Sequence, residues 1–266
     1  MADCLLQLQG LRVGFNQGAT THEVLHGLDL CIRRGEAVGL VGESGSGKSV
    51  TALAVMGLLG RHGTVTGGRI LLEGCDLTQL PESEMRAVRG KEISMIFQDP
   101  TTALNPAFTI GTQLLDVIHA HRKLRAPAAR KEALEVLDQV GFKEPARVLR
   151  SYPHELSGGM KQRAMIAMAV SCRPRVVLAD EPTTALDVTV QAQIVELLRR
   201  LVKELDLGLL FITHNLDLMA ELCGHAAVLY RGDVVETGSA EDLFERPSHA
   251  YTRMLFESIP RLEVHP

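Results

Sequence analysis

Val38-Gly39-Leu40-Val41-Gly42-Glu43-Ser44-Gly45-Ser46-Gly47-Lys48-Ser49 runs from a short apolar stretch straight into a glycine-rich loop and on into a helical pattern. The apolar stretch lacks the alternation of a half-exposed strand and reads as a buried parallel strand. That implies an α/β fold built on a parallel sheet. The loop fits the spacing GxxxxGK(S/T), and it stands after a buried strand and at the opening of a helix, where that spacing has a physical meaning. Glycines let the main chain wrap closely around phosphate oxygens, so that several N–H groups donate at once. The helix N-terminus adds a favourable dipole. Gly42, Glu43, Ser44, Gly45, Ser46, Gly47, Lys48, Ser49 and Val50 are therefore predicted to cradle a nucleotide. Lys48 should reach the β- and γ-phosphates, and Ser49 should hold Mg²⁺. The helix is expected over residues 48–59, with its stop near Gly60.

Further on, Val176-Val177-Leu178-Ala179-Asp180 is a second buried strand, and it ends in an acid. Asp180 is expected to support Mg²⁺ through its water shell. Glu181 follows directly, where a carboxylate can polarise an attacking water. Two other apolar runs end in polar residues. Ile93-Ser94-Met95-Ile96-Phe97 leads to Gln98, and Leu209-Leu210-Phe211-Ile212-Thr213 leads to His214. Phe15, just after the alternating strand Leu6 to Val13, is the candidate to stack on adenine.

The phosphate loop and the segment Leu156-Ser157-Gly158-Gly159-Met160, followed by Lys161-Gln162-Arg163, together resemble the ATP-binding cassette (ABC) ATPases. The resemblance runs from Leu6 to about Pro260. It implies a phosphate-loop, RecA-like parallel-sheet core with an N-terminal antiparallel β subdomain and a helical subdomain. It also implies ATP and Mg²⁺ as cofactors, Glu181 as catalytic base, and Gln98 and His214 as sensors of Mg²⁺ and the γ-phosphate. Ser157, Gly158 and Gly159 would close over the nucleotide of a partner subunit, and Asp187 would lie in the loop beside it.

Four longer stretches are similar to the ATPase subunits of peptide and nickel importers: residues 97–106, 152–160, 181–193 and 247–252. That branch implies two transmembrane permease subunits, a second and non-identical ABC ATPase, and an extracytoplasmic solute-binding protein acting indirectly. The location implied is the cytoplasmic face of the inner membrane, peripheral through the permease. The alternative is a non-transport ABC ATPase, such as an accessory subunit of the carbon–phosphorus lyase machinery. Two departures from the branch stand out. Asn215 follows His214 where an Asp is usual. The chain also stops at Pro266 with no Cys after Cys223, so no iron–sulfur cluster is expected, and the short tail looks more like the nickel or metallophore branch.

The 266 residues suffice for one α/β core with small appendages, and 45% hydrophobic with 23% charged residues is ordinary for a globular chain. The expected arrangement is a single domain over 1–266. Residues 1–98 and 166–240 would form the nucleotide-binding core and β subdomain, 99–165 the helical part and 241–266 a tail. A net charge of −4 gives no basic field to recruit nucleic acid. No apolar run approaches the ~20 residues of a membrane span, and residues 1–6 lack a secretion signal. Cys4, Cys31, Cys75, Cys172 and Cys223 read as five free, buried thiols in a reducing compartment.

The local pattern predicts strands over 6–13, 24–32 and 69–74, with turns at Asn16-Gln17-Gly18, Arg34-Gly35-Glu36 and Thr66-Gly67-Gly68. A closing hairpin is expected around Arg231-Gly232-Asp233. Helices are predicted over 128–140, stopped by Gly141, and over 191–205. Asp99 to Pro106, rich in turn residues, is expected as a shaped loop that takes up the permease.

Overall fold

The computed structural model describes residues 4–18 and 20–257. In chain order the elements begin with β1 (Leu6–Gln17), β2 (Thr20–Ile32), β3 (Ala37–Val41), α1 (Lys48–Val55), β4 (Gly63–Leu72) and β5 (Cys75–Asp76). Next come α2 (Glu82–Val88), β6 (Ile93–Ile96), α3 (Pro100–Ala103), α4 (Ile110–His121), α5 (Ala126–Gln139), α6 (Pro145–Val148) and α7 (Gly158–Val170). The chain continues with β7 (Val176–Asp180), α8 (Val188–Leu205), β8 (Gly208–Thr213), α9 (Leu216–Leu222), β9 (His225–Tyr230), β10 (Asp233–Ser239), α10 (Ala240–Glu245) and α11 (Ala250–Glu257).

Two sheets result. β2, β1, β4 and β5 make an antiparallel sheet, and the second sheet runs β10-β9-β3-β8-β7-β6. Within the second, β9, β3, β8, β7 and β6 pair in parallel, and β10 closes it antiparallel to β9. Every residue of β3, β7 and β8 is buried, as a parallel sheet covered on both faces requires.

The period of two along these strands divides the interior. Val38, Leu40, Val176, Leu178, Leu210 and Ile212 join a core shared with the antiparallel sheet and α1. Their neighbours Ala37, Val41, Val177, Ala179, Leu209 and Phe211 join a second core with α4, α5, α7 and α8. The sheet is thus a wall between two hydrophobic compartments. Met165 is buried and Met160 and Met168 are half-buried in the second, so the methionines after the Leu-Ser-Gly-Gly segment are packing residues.

Several local expectations need correction. α1 ends at Val55, because Gly57 adopts φ 62° and starts a Schellman closure. In it the Leu58 N–H reaches Leu53 O at 2.8 Å and the Gly57 N–H reaches Ala54 O at 3.0 Å. The same motif stops α5 where the sequence indicates, with Gly141 N–H to Asp138 O at 2.8 Å and Phe142 N–H to Leu137 O at 3.1 Å. Thr66-Gly67-Gly68 is not a turn. It lies inside β4, at an irregularity in the β1–β4 register. A Cβ at Gly68 would stand 2.3 Å from Gly10 O, so the two chains touch backbone to backbone there. Likewise β1 continues through Asn16 to Gln17, past the expected turn. Asp99 to Pro106 contains one helical turn, α3, whose N-cap Asp99 accepts the Thr101 N–H at 2.7 Å.

The cysteine reading also changes. Cys4 and Cys31 form a disulfide, with Cα atoms 5.6 Å apart. The register Leu6↔Ile32 and Gln7↔Cys31 carries the start of β1 to the end of β2, which spacing in sequence does not reveal. Of the other three, Cys75 is exposed, Cys172 half-buried and Cys223 buried, where desolvation pushes its thiol pKa far up. No helix among the described residues is long and apolar enough to cross a membrane.

Candidate nucleotide site

The glycine loop follows β3 and opens α1. Gly42 sits at φ 153° against β9, where a Cβ would be 2.1 Å from Leu229 O. Gly47, at φ 112°, is the N-cap of α1 and brings no side chain to cap its first turn. That leaves the first-turn N–H groups, which an α-helix cannot satisfy internally, facing the loop's hollow. The loop is braced from β10's hairpin by the Gly232 N–H on Ser46 O at 2.9 Å.

Lys48 is only 4% exposed. Its Nζ donates to Gly42 O and Glu43 O, both at 2.8 Å. Burial lowers its pKa, against the opposing pull of Glu181, Asp180 and Glu43. Ser49 Oγ donates to Asp180 Oδ1 at 3.0 Å, joining α1 to the end of β7. Asp180 is buried, and desolvation raises its carboxyl pKa while the Ser49 hydrogen bond works the other way.

Glu181 follows with φ 45°, an uncommon backbone for a residue with a side chain. Its N–H is tied to Ile212 O at 2.9 Å, so the neighbouring strand β8 holds that turn. Its Oε2 collects three partners: Gln98 Nε2 donates at 3.1 Å, Thr184 Oγ1 donates at 2.9 Å, and His214 Nδ1 lies at 3.2 Å. Three segments that are distant in sequence thus converge on one carboxylate oxygen: the ends of β6 and β8, and the stretch from the end of β7 through Thr184. Asn215 is the N-cap of α9 and accepts the Leu218 N–H at 3.2 Å. Asn and Asp serve about equally as caps, so this departure keeps the local structure.

The Leu156–Met160 segment stands apart from this cluster. Ser157 is the N-cap of α7, with Oγ accepting the Met160 N–H at 3.4 Å, and Ser157 and Gly158 are exposed. Gly159 lies so close to α8 that a Cβ would be 2.7 Å from Val190 Cγ1, and Gly158 faces Leu186. Asp187, the cap of α8, accepts the Val190 N–H at 3.0 Å. Ser157, Gly158, Gly159 and Asp187 therefore form one group and the phosphate-loop residues another. Phe15 belongs to neither. It pairs with His22 on β2 and Gly63 on β4 and is half-buried against the first core.

Two contacts were not legible in sequence. Thr184 reaches Glu181, as described. Tyr251 on α11 accepts the Glu43 N–H at 3.1 Å across a separation of 208 residues. The only hint of it is that Tyr251 falls in one of the four branch-specific stretches.

The donor set fits a nucleotide with a divalent cation. Ser46 Oγ is buried with no hydrogen-bond partner. Lys48 supplies a cation inside the loop, and Ser49 and Asp180 offer hard oxygen ligands side by side. β3 and β7 deliver the loop and the acid pair to the same end of the parallel sheet. That arrangement defines an ATP-binding, ATP-hydrolysing cassette.

Comparison with known proteins gives the same result. Residues 25–184 match the family pattern "ABC transporter", and residues 235–265 match "Oligopeptide/dipeptide transporter, C-terminal region". The dipeptide transport ATP-binding protein DppD of Bacillus subtilis (strain 168) is 47% identical over 262 residues, covering 98% of this chain and 78% of that protein. The oligopeptide transport ATP-binding protein OppD of the same organism is 46% identical over 260 residues, covering 97% and 73%. Among solved structures, the ATP-binding cassette MJ0796, in a dimeric post-hydrolysis state with ADP and phosphate, superposes with a TM-score of 0.78 at 26% identity. That match covers 88% of this chain and 98% of the other. The chain belongs to the ABC transporter family and is an ATP-binding subunit of that class.

Proposed function

We propose that this chain powers a bacterial importer of peptides from the cytoplasmic face of the inner membrane. The convergence of Gln98, Thr184 and His214 on Glu181 Oε2 carries the reading. Lys48 and the loop N–H groups hold the β- and γ-phosphates, and Ser49, Asp180 and Gln98 serve Mg²⁺, which neutralises phosphate charge when bound. Glu181 accepts a proton from the water that attacks the γ-phosphorus, and ADP leaves with the β–γ bridging oxygen. His214 and Gln98 orient that carboxylate and report the γ-phosphate. Phe15 is the adenine platform.

Ser157, Gly158, Gly159 and Asp187 act in a second cassette, closing over the partner's nucleotide as the partner's do over this one. The exposure of Ser157, Gly158 and Asp187 supports such a shared site. The partners proposed are two permease subunits, a second and non-identical ATPase, and a solute receptor reached through the permeases. The relatives' names and the match over 235–265 favour peptides over nickel or a metal chelate.

The docking surface for a permease helix is the region after Gln98. Phe97 and Phe108 are exposed there at 42% and 51%. Gln113 shapes it by donating to Asn105 O and Phe108 O, both at 3.0 Å.

The test is Glu181→Gln in the assembled transporter. The amide keeps the shape and loses the base, so ATP hydrolysis should fall ~10²–10⁴-fold while ATP binding persists. Near-normal steady-state hydrolysis would refute the role given to Glu181.

A further inference from the structure

The phosphate loop has an anchor outside its own motif. Tyr251 is 7% exposed, and its ring lies against Tyr230 with centroids 4.1 Å apart. Its hydroxyl oxygen accepts the Glu43 N–H at 3.1 Å. The start of α11 is fixed in turn to β10. Glu236 Oε1 accepts the Ser248 N–H at 2.7 Å and the Ser248 hydroxyl at 2.6 Å, and Oε2 accepts the His249 N–H at 3.0 Å. Burial would push the Glu236 carboxyl pKa up, but the hydrogen bonds from Ser248 and the backbone hold it at about 2. The clamp therefore stays ionised throughout the neutral range. His249 Nδ1 accepts the Tyr251 N–H at 3.2 Å, which sets the ring's approach.

The Glu43 peptide is held from both sides. Its N–H goes to Tyr251, while its carbonyl accepts Lys48 Nζ at 2.8 Å and the Ser46 N–H at 3.2 Å. An ammonium has three donors, so a Lys48 that donates to both the β- and γ-phosphates keeps at most one of Gly42 O and Glu43 O. When Lys48 turns to the two phosphates, the Gly42–Glu43 limb loses at least one of its two charge-assisted ties. The Tyr251 bond uses neither Lys48 nor a phosphate oxygen, so it survives that exchange.

We propose that Tyr251 is a positioning residue for ATP binding. It anchors the Gly42–Glu43 limb while Lys48 changes partners, which makes α11 part of the nucleotide site. The inference rests on the reading of Gly42 to Ser49 as the phosphate cradle.

Tyr251→Phe in the full chain is the test, because it keeps the ring on Tyr230 and removes only the hydroxyl. The Kd for ATP should rise about 2- to 10-fold, the net worth of one hydrogen bond. In the assembled transporter the KM for ATP should rise by a similar factor, with kcat falling less. Hydrogen exchange at the Glu43 amide should quicken while the melting temperature without nucleotide holds. Glu236→Gln, which weakens the clamp one step away, should act in the same direction with a smaller change. Unchanged Kd and unchanged Glu43 exchange would overturn the proposal, as would a loss of affinity that only tracks a loss of melting temperature. Lys48→Ala, run alongside, separates the two readings. If it leaves ATP affinity intact, the cradle itself is misassigned. If it weakens ATP while Tyr251→Phe does not, only the anchor is wrong.

Discussion

Lys48 and Asp180, at 4% and 6% exposure, lie inside a mesh of hydrogen bonds that joins α1, β7 and the glycine loop. Ser157 and Gly158 stand exposed at the start of α7, with Leu186 behind Gly158 and Val190 behind Gly159. Both regions use glycine and a helix N-terminus, but to different ends. In the phosphate loop the glycines let backbone pass backbone, and a buried charge is stabilised by carbonyls already in place. In the Leu156–Met160 segment Gly159 lets α7 approach α8 closely, so the helix start is held rigidly while its tip faces outward. Under the proposed roles, the site whose charge is prepaid internally binds nucleotide alone, whereas the presented helix end acts only on what is brought to it.

Of the two regions, the outward one should show the larger effect when broken. Gly158→Leu should leave ATP binding by the isolated chain unchanged. It should cut hydrolysis by the assembly roughly 10²-fold, comparable to loss of a preorganised donor at a reacting centre. An isolated chain that hydrolyses ATP at the full rate of the assembly would remove the contrast between the two regions. Breaking the inward half comes next. Lys48→Ala should weaken ATP roughly 10- to 100-fold in equilibrium binding, the scale of a charge-assisted contact.

Between the halves lies the region after Gln98. Charge at Ala103 or Phe108 should lower transport several-fold while ATP hydrolysis continues, the signature of a rim contact rather than a catalytic one. Cross-links that put the permease elsewhere on this chain would count against it. The smallest change expected is at Asn215. Asn215→Asp should shift stability by only a few tenths of a kcal/mol, since the two residues cap helices alike. A drop in melting temperature of several degrees would mean that Asn215 has a role beyond the cap of α9.

Legibility in the sequence followed the distance over which each feature is encoded. The strand–loop–helix at residues 38–55 and the strand ending in Asp180 are local patterns, and the structure forms both as read. So are the Gly141 stop and the hairpin at Arg231-Gly232-Asp233. The apolar pattern of α1 continues past Gly57 through Leu58 and Leu59, and only the backbone sign at Gly57 ends the helix there. The Cys4–Cys31 bond, the Gly10–Gly68 contact and the Tyr251 anchor all depend on strand register or on packing between remote segments. Periodicity carries no record of those. Gln98 and His214 were found through resemblance, since neither residue is unusual by itself. Their meeting on one oxygen of Glu181 is a property of strand order: β6, β7 and β8 are neighbours in the sheet though far apart in the chain.

The wall between the two cores makes β3, β7 and β8 sensitive to reading frame. Each strand addresses one compartment with its odd positions and the other with its even ones, so substitutions on opposite faces should combine additively and those on the same face should couple. Inserting one residue before Val176 would do more than displace Asp180. It would exchange the compartments addressed by Val176 to Ala179 and disorder both cores at once. The loops that leave these strands can drift in length and composition, while the strands themselves behave as words that cannot be shifted by a letter.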